Sequence, residues 1–284
     1  MCRAASTPGA RRWILTFRAT DPLSPARQRW LERRRLEARR LIALEKRFLP
    51  LLVSALLPIL VMPITARRGW PAELLLALVF NLLILQSILT LPVVTGVTYA
   101  RLRQDIFRGI GVVGGLGLWV PVLTGTWPGG VFRAVEMVLL SLFFLVTSMR
   151  LVRLLARVPR VNVQVMAGAA AGYLHLGLTG GVLATATQVL VPGSFSLGEG
   201  ASHQLLLDRL TYFSFVTIAG VGYGDVLPAN AVGERFVILL SVASTLYVAL
   251  LVGLLLGRFI ASEEVEMLED DALDLERVEG PGNP

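Results

Sequence analysis

Apolar residues fall along this chain in long blocks, and within each block they cover every helical face instead of one stripe. A helix must run through about 20 apolar residues to cross a bilayer. Blocks of that kind occupy residues 48–65, 72–97, 107–126, 131–150, 164–191 and 234–257. A helix that is apolar all round belongs in a protein core or in lipid, so the pattern predicts six transmembrane helices. The exception lies between the last two, where residues 212–228 read YFSFVTIAGVGYGDVLP, too polar and too punctuated by glycine to span. Non-helical backbone at membrane depth survives only where protein buries it or where it lines a water-filled path. The stretch therefore reads as re-entrant. The fold class is an all-α integral membrane protein with six transmembrane helices and a re-entrant helix and loop between helices five and six.

Composition supports this: hydrophobic residues make up 54% and the mean hydropathy is +0.66, above the usual share of a globular domain. A net charge of +7 raises the question of nucleic acid. The basic residues, however, sit at the edges of apolar blocks and not in a domain of their own, which points to anionic lipid headgroups and away from nucleic acid. Residues 1–47 form a basic N-terminal segment in which Ser24-Pro25 opens a helix through Arg47, expected either on the membrane surface or as a solvated lead into the first span. Residues 48–160 form a four-helix unit, 161–258 a second unit, and 259–284 an acidic tail. That tail, with Glu263, Glu264, Glu266, Glu269, Asp270, Asp271, Asp274, Glu276 and Glu279 against Arg277, is expected to be solvated and partly helical. A contact between it and the basic N-terminal helix is the alternative. Arg101, Arg103 and Arg108 share one side with Arg150, Arg153, Arg157, Arg160 and the basic N-terminus, so both termini are expected to be cytoplasmic, with Arg67 and Arg68 as a mild exception. Compact architecture and the lack of glycosylation sequons suggest a bacterial inner membrane.

Candidate chemistry concentrates in the re-entrant stretch. Gly222 and Gly224 alternate with Val221 and Tyr223. Glycine enters positive φ at little cost, so the alternation lets successive carbonyls point the same way, and a row of aligned carbonyls can replace a cation's hydration shell. The run Val221-Gly222-Tyr223-Gly224-Asp225, preceded by a short apolar helix containing Thr217 and followed by Pro228 and Gly233, resembles the signature of the tetrameric potassium channels. The resemblance implies a homotetramer in which Thr217 lies near the end of a pore helix. It also implies that the carbonyls of Gly220, Val221, Gly222 and Tyr223 bind potassium, Gly224 shapes the outer mouth and Asp225 braces it. One departure matters: Gly220 stands where the family usually places a threonine whose hydroxyl helps form the innermost ion site, and Ala219 replaces another. Phe213 cannot donate the hydrogen bond that a tryptophan there could, which leaves Tyr212 as the nearest aromatic able to tie down Tyr223. Three functions stay open: a potassium-selective subunit, a weakly selective cation channel because of Gly220, and a silent or regulatory subunit.

Elsewhere the signals are weaker. Arg150, Arg153 and Arg157 lie near one helix face, a spacing that permits voltage sensing, at about 2.3 kcal/mol per charge per 100 mV. Their place at the inner end, and the scarcity of counter-charges beyond Asn81, Gln86 and Asp105, favour a scaffold. The letters Gly109 to Gly114 fit a dinucleotide fingerprint but lack its strand and acidic partner, so close helix packing through small residues is the better account. His175 reads as a buried neutral histidine bonded to a neighbouring helix, and Asp208 as an acid at the start of the pore helix. Ser244 occupies the place of a hinge glycine, and Gly253 and Gly257 are either flexible gate positions or packing positions. No enzyme constellation and no cofactor is expected: the two histidines lie far apart, Cys2 is the lone cysteine, and no carboxylate pair sits within a span.

Overall fold

The computed structural model describes residues 46–65, 70–91, 98–125, 129–156, 162–197 and 206–278. The chain divides into two units, residues 1–43 and 44–284, and the first, with most of the expected basic helix, lies outside the described residues. In the second, helices follow in the order α1 (Phe48–Thr65), α2 (Trp70–Thr90), α3 (Thr98–Gly117), α4 (Val120–Thr124), α5 (Gly130–Leu155) and α6 (Val163–Leu190). The short strand β1 (Phe195–Ser196), α7 (Leu206–Ile218), β2 (Leu227–Pro228) and the long α8 (Ala231–Val278) complete it.

Among the described residues, five stretches are long and apolar enough to cross a membrane: Pro71–Thr90, Leu102–Thr124, Gly130–Leu155, Val163–Leu190 and Ala231–Leu254. The remaining expected span, α1, is apolar but falls short by that measure, over Phe48–Pro63, and carries Pro58 and Pro63 inside the helix. The chain is thus a multi-pass integral membrane protein. Leu78, Leu82, Leu85 and Leu89 on α2, like Val112, Val113 and Leu116 on α3, stay exposed, as a lipid-facing surface requires.

One difference from the sequence reading concerns α3. The helix of the third span starts at Thr98, well before 107, because Arg101, Arg103, Gln104 and Arg108 interrupt the apolar run without breaking the helix. Arginine and glutamine are good helix formers. α8 continues as one helix through the acidic tail to Val278, where Glu, Leu, Met and Ala keep helix propensity high and neither Gly nor Pro intervenes after Gly257.

The core sits around α6, which packs against α1, α5, α7 and α8. Asn162 caps its N-terminus, its side-chain oxygen accepting from the Val165 N–H at 2.9 Å. Most residues of Val163–Leu190 are buried, whereas few of Ala231–Leu254 of α8 are, so α6 is an interior wall while that part of α8 offers most of its surface outward. Toward α3 and α5, Phe107 stacks on Phe143 at 4.8 Å, Phe143 meets Phe144 edge-on, and Phe144 meets the His175 ring at 5.8 Å. Gly111 and Gly114 let α3 lie directly on Phe143 and Leu140, the close packing expected of that glycine run.

Candidate functional site

The re-entrant stretch begins with α7, which is seated against α6 where side chains are missing. A side chain at Gly181 would strike the backbone of Thr211, and the Ser214 hydroxyl donates to the Gly177 carbonyl at 2.8 Å. On its other flank Phe213 packs on Phe195 of β1, and Phe195 meets Phe236 of α8 edge-on. Asp208 lies in the first turn of α7; burial holds its carboxyl above the ordinary aspartate range, with Arg209 opposing the shift.

The way α7 ends sets the geometry of the loop. The Ala219 N–H donates to the Phe215 carbonyl at 3.0 Å, the Gly220 N–H reaches back to Thr217 at 3.0 Å, and the Val221 N–H to Val216 at 3.0 Å. A 6→1 bond enclosing a 5→2 bond, with a left-handed residue between, is a Schellman cap. Gly220 is that residue, at φ 71°. Sequence reasoning treated Gly220 as the loss of a threonine hydroxyl; the structure adds a helix-terminating role, legible in principle from the rule that glycine favours the position just beyond a helix. The Gly222 N–H makes a longer bond to the Val216 carbonyl at 3.4 Å. Thr217 turns its hydroxyl back onto the Phe213 carbonyl at 2.8 Å.

Gly222 and Gly224 also lie in the left-handed region, at φ 56° and 80°, so residues 220–224 alternate glycine at positive φ with Val221 and Tyr223. All five are exposed in the single chain, Tyr223 at 70%. Three N–H groups of the loop are taken up by the end of α7, whereas among the described residues no carbonyl of residues 220–224 accepts a hydrogen bond. The loop is a surface of unpaired acceptors. Beyond it, the Tyr212 phenol lies within electrostatic reach of both the Asp225 carboxylate and Tyr223.

The descending limb is pinned by contacts absent from the sequence reading. β2 pairs antiparallel with β1, Phe195 opposite Pro228 and Ser196 opposite Leu227, and the Ala229 N–H donates to the Ser194 carbonyl at 2.8 Å. Asn230 caps α8 by accepting from the Val232 and Gly233 N–H groups, both at 3.0 Å. Asparagine just before the last apolar block was the available signal. On α8, Ser244 is buried and bonded to the Ser241 carbonyl, and Gly253 and Gly257 have no neighbour within 4 Å in the chain.

The remaining candidates do not join this site. Arg150 and Arg153 lie near the end of α5, and Arg157 falls outside the described residues, as do Glu199 and His203. His175 is fully buried in α6, bonded to the Ala171 carbonyl at 2.7 Å and to the Ser87 hydroxyl of α2 at 3.1 Å. Among the described residues no group of histidines, cysteines and carboxylates is placed to hold a metal.

A helix that enters the apolar protein, turns back through a left-handed loop with unpaired carbonyls and leads into a long outer helix defines a pore-loop domain. Residues 176–261 match the ion channel family model. The chain therefore carries an ion channel pore domain and is not an enzyme; residues 1–175 lie outside that match. No curated protein and no solved structure matches the chain.

Proposed function

We propose that this chain is a subunit of a homotetrameric, six-span potassium channel, passing potassium down its gradient through the carbonyls of Gly220, Val221, Gly222 and Tyr223. The observation that supports it is the loop's polar imbalance: exposed carbonyls without donors, beside N–H groups already satisfied within the chain. At membrane depth each unsatisfied carbonyl costs several kcal/mol, and dehydrated cations on the axis of four such loops would supply the missing partners. The largely unburied α8 is the surface on which neighbouring copies and lipid would pack. In this reading Thr217, Tyr212 and Asp225 support the filter, and Ser244, Gly253 and Gly257 lie along the inner pore. Residues 48–160 act as scaffold around the pore domain of residues 161–258. By the charge distribution, the end where α1 and α6 begin and α5 ends faces the cytoplasm.

The test is the reversal potential of the purified protein in planar bilayers with potassium on one side and sodium on the other. A value at the potassium equilibrium potential is expected; a value near zero with clear current would refute potassium selectivity. Gly220 favours one second reading, a weakly selective cation channel. With no side chain there, the innermost site holds carbonyls on one side and water on the other, and that reading predicts the near-zero value.

A further inference from the structure

Arg150 has an unusual environment for a half-buried cation. Its Nη1 donates to the Gln104 Oε1 at 3.0 Å, and the guanidinium lies 4.1 Å over the Phe107 ring. Gln104 is itself buried and fixed, its Nε2 donating to the Leu91 carbonyl at 3.4 Å. The charges close enough to act on Arg150 are Arg103 of α3 and Arg153 of α5, and both repel it. Among the described residues no carboxylate pairs with any of the three. A guanidinium carries five N–H donors in a rigid fork, so Arg150, held by one bond and one ring face, keeps most of its donors free between two further exposed arginines. Three like charges stand together, and among the described residues no carboxylate neutralises them.

From this juxtaposition of Arg103, Arg150 and Arg153 on a support made by Gln104 and Phe107, we infer that the ends of α3 and α5 form a binding site for the phosphate of an anionic lipid headgroup. Arginine matches phosphate by bidentate hydrogen bonding where lysine offers a point charge. Basic pockets between transmembrane helices at the bilayer edge are the setting in which such headgroups bind. What selects a lipid over free phosphate is the neighbouring surface. Leu102 and Ile106 flank Arg103 along α3, Met149 precedes Arg150, and all three are exposed apolar side chains that acyl chains would cover. The site needs only that the bundle lies in a bilayer, so it stands or falls independently of the ion selectivity proposed above.

The full-length protein, purified in detergent, is mixed with dioleoylphosphatidylglycerol or dioleoylphosphatidylcholine, and bound lipid is counted by native mass spectrometry. Wild type is expected to retain phosphatidylglycerol about tenfold more strongly, and the Arg103→Gln/Arg153→Gln pair to lose most of that preference, as removal of two interfacial charges implies. Lys46→Gln, which removes a charge from the same end of the bundle, is expected to leave it unchanged. Gln104→Ala keeps every charge but frees Arg150, and a reduced preference there supports a built site over general electrostatics. Arg103→Lys/Arg153→Lys serves if the glutamine pair does not fold, and is expected to retain phosphatidylglycerol more weakly than wild type. Equal retention by wild type and both paired variants overturns the site. Displacement of phosphatidylglycerol by millimolar inorganic phosphate overturns the lipid assignment and makes it a free-phosphate site.

Discussion

Replacing Gly220 tests the loop's architecture most directly. The residue sits at φ 71° as the left-handed element of the cap on α7, and a Cβ added there meets no atom within 4 Å. Any penalty is thus conformational and not steric. An L-residue in the left-handed region costs about 1–2 kcal/mol, with β-branched side chains at the upper end. Gly220→Ala is expected near the lower bound and Gly220→Thr near the upper, a factor of about 5–30 in the folded ratio per chain. In the proposed homotetramer the loss would reach about 4–8 kcal/mol per assembly by the same figure. The assay is reversible unfolding in mixed micelles of mild and denaturing detergent. As a control, Gly109→Ala on α3 also meets nothing within 4 Å but lies in helix interior; it should gain about 1 kcal/mol. D-Alanine introduced at 220 by semisynthesis carries the same methyl with the opposite conformational preference and should restore wild-type stability. If Gly220→Thr proves as stable as wild type, or if D- and L-alanine behave alike, the left-handed cap is refuted. The familiar threonine would then be as well accommodated as glycine.

Three other perturbations probe the surroundings of the loop. Tyr212→Phe removes the phenolic hydroxyl beside Asp225 and should loosen the loop; shortened single-channel open periods and a lowered unfolding midpoint are the readouts. Gly181→Val drives a side chain into the Thr211 backbone and should abolish folding of the pore domain, seen as loss of a monodisperse peak in gel filtration. Asp208→Asn concerns a carboxyl raised above its ordinary range by burial, so the native state holds its proton more tightly than the unfolded chain does, and stability falls as pH rises. The asparagine variant should therefore melt higher than wild type at pH 7, and the difference should vanish below pH of about 4.

The sequence announced the membrane spans because the driving pattern is long and local: a block apolar on every face has few alternatives to a buried or lipid-facing helix. It announced the loop for the same reason, since Gly222 and Gly224 need no partner to favour positive φ. What it did not announce depends on residues distant in sequence. Pairing of Phe195 with Pro228, the Ser194 carbonyl beneath Ala229, and the Ser214 hydroxyl on Gly177 are non-local, and none leaves a spacing signature. The arginine face of α5 is similar. Its spacing suggested charge movement, but the partners of Arg150 are an amide and a ring on α3, which periodicity along α5 cannot show. The acidic tail was expected to be partly helical, and the local propensity of its Glu, Leu and Ala residues carries the helix to Val278.

The position of α6 shapes how helices α1–α5 can influence the pore loop. One face takes their polar contacts: Ser87 of α2 bonds His175, the Ser148 hydroxyl of α5 donates to the Gly172 carbonyl at 3.0 Å, and the Leu49 N–H of α1 donates to the Gln164 side chain at 3.3 Å. The other face receives α7 through Gly177 and Gly181, and α8 through the Tyr247 hydroxyl on the Ala169 carbonyl at 2.9 Å. Gly172 joins the two faces, its carbonyl held by Ser148 while its missing side chain makes room for Tyr247. Gly172 is thus one residue at which α5 and α8 bear on α6 together. Loop and outer helix also share the β1–β2 bridge and the Asn230 cap, which pin the descending limb at its far end. Residues 48–155 therefore touch the pore loop's supports by two routes: through Gly172 to Tyr247 of α8, and through the apolar cluster that Phe143 and Phe144 share with Leu207 and Phe215 of α7.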